Sequence, residues 1–155
     1  MLRAVSHLHA GDDRAGPFDT LVLDHARRHL RRRRLALASG DPLLVDLPDP
    51  VTLAHGDALL LEDGRVVEIV AADEELFAVT GSDPRHLSEL AWHLGNRHLP
   101  AQIEADRILI ARDPVIRKML EGLGAGVVET IEPFQPARGA YYAQGGALHP
   151  LHFHP

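Results

Sequence analysis

The sequence predicts an α+β fold: a small N-terminal β-sandwich or open barrel, then a ferredoxin-like βαββαβ domain, then a flexible tail that contains histidines. Three observations predict this fold. Short apolar segments separated by turn residues fill the first half of the chain, which is typical of β structure. Two amphipathic stretches that begin with Asp-Pro, a helix-start signal, occur in the second half. Strand-like segments flank and separate these helices in the ferredoxin-like order.

The first domain, residues 1–75, is predicted to be rich in β-strands and to bind a partner or a peptide. The expected strands are 18–23, 33–39, 42–47, 58–62 and 65–71. Asp63-Gly64 predicts a two-residue type I′ hairpin turn between the last two strands. The stretch LDHARRHLRRRRL could pass for a helix, but its alternation and the neighbouring turns favour a strand after an exposed loop. The character of the sequence changes at AADEEL, so we place the boundary after residue 75.

The second domain, residues 76–142, is predicted to be the ferredoxin-like unit, and residues 143–155 the tail. Asp83-Pro84 starts the first helix, which Gly95 can end, and Asp113-Pro114 starts the second. Apolar residues at helical spacing predict the buried faces: Leu87, Leu90, Ala91 and Leu94 in the first helix, and Ile116, Met119, Leu120 and Leu123 in the second. Strands are expected at 77–81, 101–105, 107–111 and 126–134.

Composition excludes several classes of protein. The 155 residues contain 45% hydrophobic and 25% charged residues and no cysteine, which disfavours global disorder and removes disulfides, thiolate metal sites and cysteine nucleophiles. The net charge of −6 disfavours nucleic acid and anionic membranes as the main partners. No apolar run resembles a signal peptide or a membrane span, so we expect a cytoplasmic protein.

The common catalytic motifs are missing from the sequence. It has no His-Glu-x-x-His, no Gly-x-Ser-x-Gly and no phosphate-binding loop with lysine. A metal-dependent hydrolase would need an open coordination site beside a general base, and the sequence offers no such pair. We therefore expect that the protein is not an enzyme.

The arginine run of the first domain consists of Arg27, Arg28 and Arg31 to Arg34. Guanidinium groups at this density could bind phosphate or an acidic partner. The simpler interpretation is an edge strand that charge protects from aggregation. An acidic protein is a more plausible partner for the run than DNA, because acidic residues outnumber basic ones in the same domain.

Most of the histidines are expected to lie at the surface without a metal. His25, His29 and His55 fall in predicted loops. His7 and His9 could chelate from an extended chain, but the preferred interpretation is the polar face of a first strand. His86 and His93 lie two helical turns apart, about 10 Å, which is too far for one ion, so we expect them to be exposed or interfacial.

Four histidines remain as candidate metal ligands. His98 follows the predicted end of the first helix, where a loop can present its imidazole, although a histidine there could simply interact with the helix carbonyls. His149, His152 and His154 lie in the tail, and the last two have chelate spacing. The alternative for the tail is a disordered end that binds metal only adventitiously.

The chain resembles the UreE family of urease accessory proteins, the nickel metallochaperones. The most specific match is His93-Leu-Gly-Asn-Arg-His98-x-Pro-x-Gln-Ile103. It is supported by Ala71-Ala-Asp-Glu-Glu75, Leu47-Pro48, Asp63-Gly64 and the segment Phe134-x-Pro-x-x-Gly-Ala-Tyr141. The resemblance covers nearly the whole chain and implies an N-terminal domain likened to peptide-binding domains, a ferredoxin-like metal-binding domain and a variable tail.

The resemblance assigns the family's nickel ligand at the dimer interface to His98. It implies a homodimer through the metal-binding domain, with Ni(II) bound and Zn(II) or Cu(II) possible at the same site. The extra histidines that some members carry before the second helix are missing from Ala111 to Pro114. The implied partners are the urease maturation GTPase, other urease accessory proteins and apo-urease. Since imidazole must be neutral to ligate, binding should weaken below about pH 6.

The expected function is therefore that of a metallochaperone that delivers Ni(II) for assembly of the urease active site. The alternative is a protein-interaction adaptor of the urease maturation complex, with incidental metal binding. A partner pull-down that is indifferent to His98→Ala and to chelator would favour the adaptor.

Overall fold

The computed structural model describes residues 1–138, in which two compact units are formed by residues 1–70 and residues 71–137. The division lies a few residues before the predicted boundary, because Glu74 and Glu75 already belong to the first strand of the second unit. The predicted tail, residues 143–155, lies outside the described residues.

The first unit is built from strands and one short 3-10 turn. Its elements are β1 (Leu2–Leu8), β2 (Asp19–Leu23), the 3-10 turn (Ala26–Arg28), β3 (His29–Ala36), β4 (Pro42–Thr52), β5 (Ala58–Leu61) and β6 (Val66–Ala71). They form one six-stranded sheet in the order β2-β6-β5-β1-β4-β3, curled into a half-barrel. Of the two predicted forms, the open barrel is therefore the one observed. Inward side chains, including Leu21, Leu43, Val45, Leu59 and Ile69, form its core.

The hairpin between β5 and β6 is confirmed, but its turn differs from the predicted one. Gly64 has a φ of +90°, whereas Asp63 does not have a positive φ. The Gly64 N–H donates to the Leu61 carbonyl (3.0 Å), and the Leu61 N–H donates to the Arg65 carbonyl (2.9 Å). This is a three-residue loop, a type I turn closed by a left-handed glycine, so the predicted type I′ turn is wrong. The Asp63 carboxylate accepts from the Arg65 N–H, which holds Asp63 in this turn.

Arg31 to Arg34 lie in β3, an edge strand as predicted, whereas Arg27 and Arg28 lie in the 3-10 turn before it, where Arg28 is buried. Arg28 is 1% exposed. Its Nε donates to the Leu53 carbonyl (3.1 Å) and its Nη1 to the Leu23 carbonyl (3.0 Å). Arg28 therefore joins the end of β2 to the chain after β4 and is not part of the exposed charge. The strand after it, β3, is the last strand of the sheet.

The second unit confirms the ferredoxin-like arrangement. Its elements are β7 (Asp73–Thr80), α1 (Pro84–Asn96), β8 (Gln102–Ile103), β9 (Ile108–Ala111), α2 (Pro114–Gly122) and β10 (Gly126–Pro133). The antiparallel sheet has the order β10-β7-β9-β8. Both helices pack on one face of it through a core that includes Phe77, Leu90, Leu94, Ile110 and Leu120. The opposite face buries Leu76 and Leu109 beneath Phe134.

Aspartates cap both helices as the sequence predicts. The Asp83 carboxylate accepts from the His86 N–H, and the Asp113 carboxylate accepts from two N–H groups of the first turn of α2. The predicted face of α2 is only partly buried, because Leu123 lies beyond the last helical residue and is 36% exposed. Within residues 1–138, no helix is long and apolar enough to cross a membrane.

Candidate functional site

The candidate site lies where α1 ends. The His98 N–H donates to the Gly95 carbonyl (3.0 Å), and the Leu99 N–H reaches back to the Leu94 carbonyl (3.4 Å). These two bonds form a Schellman motif, in which the residue after the C-cap reverses the chain. Leu99 then packs against the core that contains Leu94, which is the apolar contact that accompanies this motif. The helix therefore runs past Gly95, the predicted end, and His98 makes the reversal.

His98 adopts a left-handed backbone conformation, which glycine adopts more easily than any other residue. Its φ is 56°, and it is the one residue other than glycine with a positive φ among residues 1–138. α2 ends in the same motif with Gly124 (φ +84°) at the equivalent position, where the Gly124 and Ala125 N–H groups donate to the Glu121 and Leu120 carbonyls. A left-handed residue with a side chain costs about 1 kcal/mol or more. The chain thus keeps an imidazole where glycine would make a more stable turn.

The imidazole of His98 is exposed. Its neighbour Arg97 is also exposed and donates from Nε to the Met119 sulfur (2.9 Å), which ties the helix end to α2. Within residues 1–138, no three histidine, aspartate or glutamate side chains are grouped to hold a metal ion. The described residues of one chain therefore offer a single imidazole at this helix end. The other predicted ligands, His149, His152 and His154, lie outside the described residues.

His86 has a structural position that sequence reasoning missed. Its Nδ1 accepts from the Ser82 N–H (2.9 Å), so Nε2 carries the proton and donates to the Leu123 carbonyl (2.9 Å). The ring is half-buried and joins the start of α1 to the end of α2. His86 was expected to be exposed or interfacial, and the structure adds that both of its ring nitrogens are hydrogen-bonded within the chain. No signal in the sequence indicates this contact, since Leu123 is far away along the chain.

A cleft of about 420 Å³ lies beside this histidine, between residues of α1 and Leu123 at the end of α2. It is lined by His86, Glu89, Leu90, Trp92, His93 and Leu123. Trp92 is 64% exposed, and its ring meets the His93 ring edge-on with the centroids 5.2 Å apart. Such an exposed aromatic side chain at the end of a helix is typical of a surface that another molecule covers.

The remaining described histidines belong to the first unit. His7 and His9 meet edge-on with their centroids 5.5 Å apart. His29 and His55 are exposed, as predicted, although His29 begins β3 and does not lie in a loop, and His25 is half-buried. The His29 ring is hydrogen-bonded to the Thr52 hydroxyl.

A bidentate ion pair of the second unit joins β10 to the chain before β9. Arg107 donates through both Nη atoms to the two carboxylate oxygens of Glu132, each at 2.7 Å, and through Nε to Glu104 (2.9 Å). These hydrogen bonds from Arg107, with a further one from the Thr130 hydroxyl, lower the pKa of Glu132 from 4.5 to about 2. The same bonds raise the pKa of Arg107. All four residues are held by one another, so the cluster has a structural role.

A half-barrel followed by a ferredoxin-like unit defines the class of protein: a two-unit α+β protein that presents an exposed imidazole at a helix end. Two family models match the chain, the N-terminal domain of "UreE urease accessory protein" over residues 1–72 and its C-terminal domain over residues 74–155. The chain therefore belongs to the UreE family of urease accessory proteins.

Curated relatives agree with the family models. The urease accessory protein UreE of Rhizobium rhizogenes is 58% identical over 149 residues, which cover 96% of this chain and 89% of the relative. The UreE of Mesorhizobium japonicum is 61% identical over 90% of this chain and 71% of the relative. The UreE of Agrobacterium fabrum is 55% identical over 96% of this chain and 92% of the relative.

Proposed function

We propose that the protein is a nickel-binding metallochaperone that delivers Ni(II) for assembly of the urease active site. Membership of a family of urease accessory proteins gives it a role in urease maturation and names it as an accessory protein, not as the enzyme. The observation that carries the nickel proposal is His98, an exposed imidazole kept in a left-handed conformation at a helix end. Strain of this kind is found where a side chain serves function over stability.

A homodimer would supply the ligands that one chain lacks. A two-fold axis near the end of α1 would bring together His98 of each chain, and the tail histidines His149, His152 and His154 could complete the coordination. Trp92, exposed on the same helix, supports a protein contact on this side of the second unit. Imidazole also suits Zn(II) and Cu(II), so the choice of nickel would depend on geometry and on the partners.

The proposed partners are the urease maturation GTPase, other urease accessory proteins and apo-urease, and the proposed location is the cytoplasm. A carrier whose ligands come from two chains and a tail can release its ion when a partner displaces some of them. This property suits transfer better than storage.

The direct test is equilibrium dialysis of the full chain with Ni(II) at neutral pH. The variant is His98→Asn, because asparagine tolerates the left-handed backbone and removes only the imidazole. His55→Asn, at an exposed histidine of the first unit, is the matched control. We expect His98→Asn to lose the tight nickel ion and His55→Asn to retain it. Equal binding by all three proteins would make His98 structural and would favour the alternative function, an interaction adaptor.

A further inference from the structure

In the first unit, β3 is an edge strand of the six-stranded sheet. One side of β3 pairs with β4, from His29 opposite Thr52 to Ala36 opposite Pro42. On its other side, no strand of residues 1–138 is hydrogen-bonded to it. Just beyond β3, the Ala38 N–H donates to the Thr20 carbonyl of β2 (2.9 Å), so the part of this side that can pair with another extended chain is the strand itself, residues 29–36.

The arginines of β3 add charge to this edge. Arg31, Arg32, Arg33 and Arg34 are all exposed. Arg32 forms an ion pair with Asp46 (2.9 Å), and Arg3 shares the same carboxylate (2.8 Å). Within residues 1–138, Arg31, Arg33 and Arg34 have no carboxylate within ion-pair distance. Three uncompensated guanidinium groups thus lie together on a chain whose net charge is −6.

The register shows how these charges are arranged. Arg33 lies opposite Val45 of the core, and Arg34 lies opposite Leu44. Because neighbouring residues of a strand face opposite sides of a sheet, Arg33 and Arg34 flank the free edge from its two sides. An extended chain laid along the edge also alternates its side chains, so adjacent acidic residues would meet arginines on both sides.

We propose that the free edge of β3 binds an extended acidic segment of a partner protein, which adds to the sheet as a further strand. The backbone of the edge supplies hydrogen bonds, and Arg31, Arg33 and Arg34 select carboxylates. A peptide fits better than a nucleic acid, because only a peptide has donors and acceptors that match a strand edge. This proposal concerns the first unit and is independent of nickel binding.

Charge on an edge strand can also serve only to prevent aggregation. The two roles differ in what they require. Protection from aggregation needs no ligand. Docking requires that an acidic peptide bind to β3, that the backbone of the peptide be able to pair with the strand, and that the arginines of β3 contribute to the affinity for the peptide.

The test is fluorescence anisotropy of the full chain with a labelled octapeptide that carries paired glutamates, VEEVEEVE, at low salt. Arg33→Gln/Arg34→Gln is the variant, and Arg85→Gln/Lys118→Gln is a control with the same change of charge on exposed residues of the second unit. We expect the first pair to weaken binding about three- to tenfold, from the usual strength of two exposed ion pairs, and the second pair to leave it unchanged. The glutamine peptide VQQVQQVQ should bind more weakly than VEEVEEVE.

A peptide methylated on alternate backbone nitrogens distinguishes strand addition from simple attraction of charges, because it keeps the carboxylates and cannot pair. Slower amide exchange in β3 of the native protein upon peptide binding would support the proposal without any variant. The proposal is overturned if VEEVEEVE does not bind, if the methylated peptide binds as well, if the two double variants weaken binding equally, or if a single-stranded RNA binds as tightly as the peptide.

Discussion

At the scale of single residues, the left-handed backbone of His98 is expected to lower the stability of the protein for the sake of an exposed imidazole. Replacement of His98 by glycine relieves the left-handed strain, so we expect the free energy of unfolding to rise by about 1 kcal/mol. Gly124→Ala, at the same position of the other helix end, should lower it by about the same amount. Urea unfolding of the three proteins measures both changes. A loss of stability in His98→Gly would show that the imidazole packs, and would remove the argument that it is kept for a ligand.

Arg28 is expected to stabilise the first unit through its buried hydrogen bonds. Its guanidinium donates to two carbonyls in a buried place, and Arg28→Met would leave those oxygens without their donors. We expect a loss of about 2 to 4 kcal/mol, since unsatisfied buried polar groups are costly. Arg31→Met, exposed on β3, is the control and should change stability by less than about 0.5 kcal/mol. Thermal or urea unfolding would show the difference, and equal effects would contradict the role given to Arg28.

At the scale of elements, local signals predicted the fold well. Asp-Pro at the start of each helix, the apolar spacing of α1 and the alternation of the strands all depend on residues close in sequence. The burial of Arg28 and the two hydrogen bonds of His86 depend on carbonyls far along the chain, and no local pattern encodes them. His98 was predicted as a candidate ligand through its motif, but its left-handed backbone was not predicted, because histidine adopts this conformation only in a small fraction of cases.

The ion pair between Arg107 and Glu132 makes the free energy of unfolding depend on pH. Because the pKa of Glu132 falls from 4.5 to about 2 on folding, its contribution is fully present above pH 4.5 and is lost as the pH falls toward 2. Glu132→Gln should therefore destabilise the protein at neutral pH, by about 1 kcal/mol for a half-exposed pair, and by less near pH 2.

The control for this variant is Glu129→Gln, an exposed glutamate on the same strand. Urea unfolding between pH 2 and pH 7 should show a gentler acid slope for Glu132→Gln and an unchanged slope for Glu129→Gln. If the two variants lose stability equally at every pH, the lowered pKa of Glu132 does not contribute to acid sensitivity.

At the scale of the whole molecule, the proposed nickel site depends on more than one chain. One described chain presents a single imidazole at the end of α1, so the metal and the dimer must stabilise each other if His98 is a ligand from both chains. We expect about one tight Ni(II) for each pair of chains, and we expect nickel to shift the equilibrium from monomer to dimer upon dilution.

Analytical ultracentrifugation with and without Ni(II) measures this coupling. His98→Asn should remove the effect of nickel on association and leave the association of the metal-free protein unchanged, because the exposed imidazole contributes little packing. Truncation after Gly146 should weaken nickel binding without abolishing it, since His98 of both chains remains. One tight ion per chain, with no dependence on protein concentration, would place the metal within a single chain and contradict a site shared across the dimer.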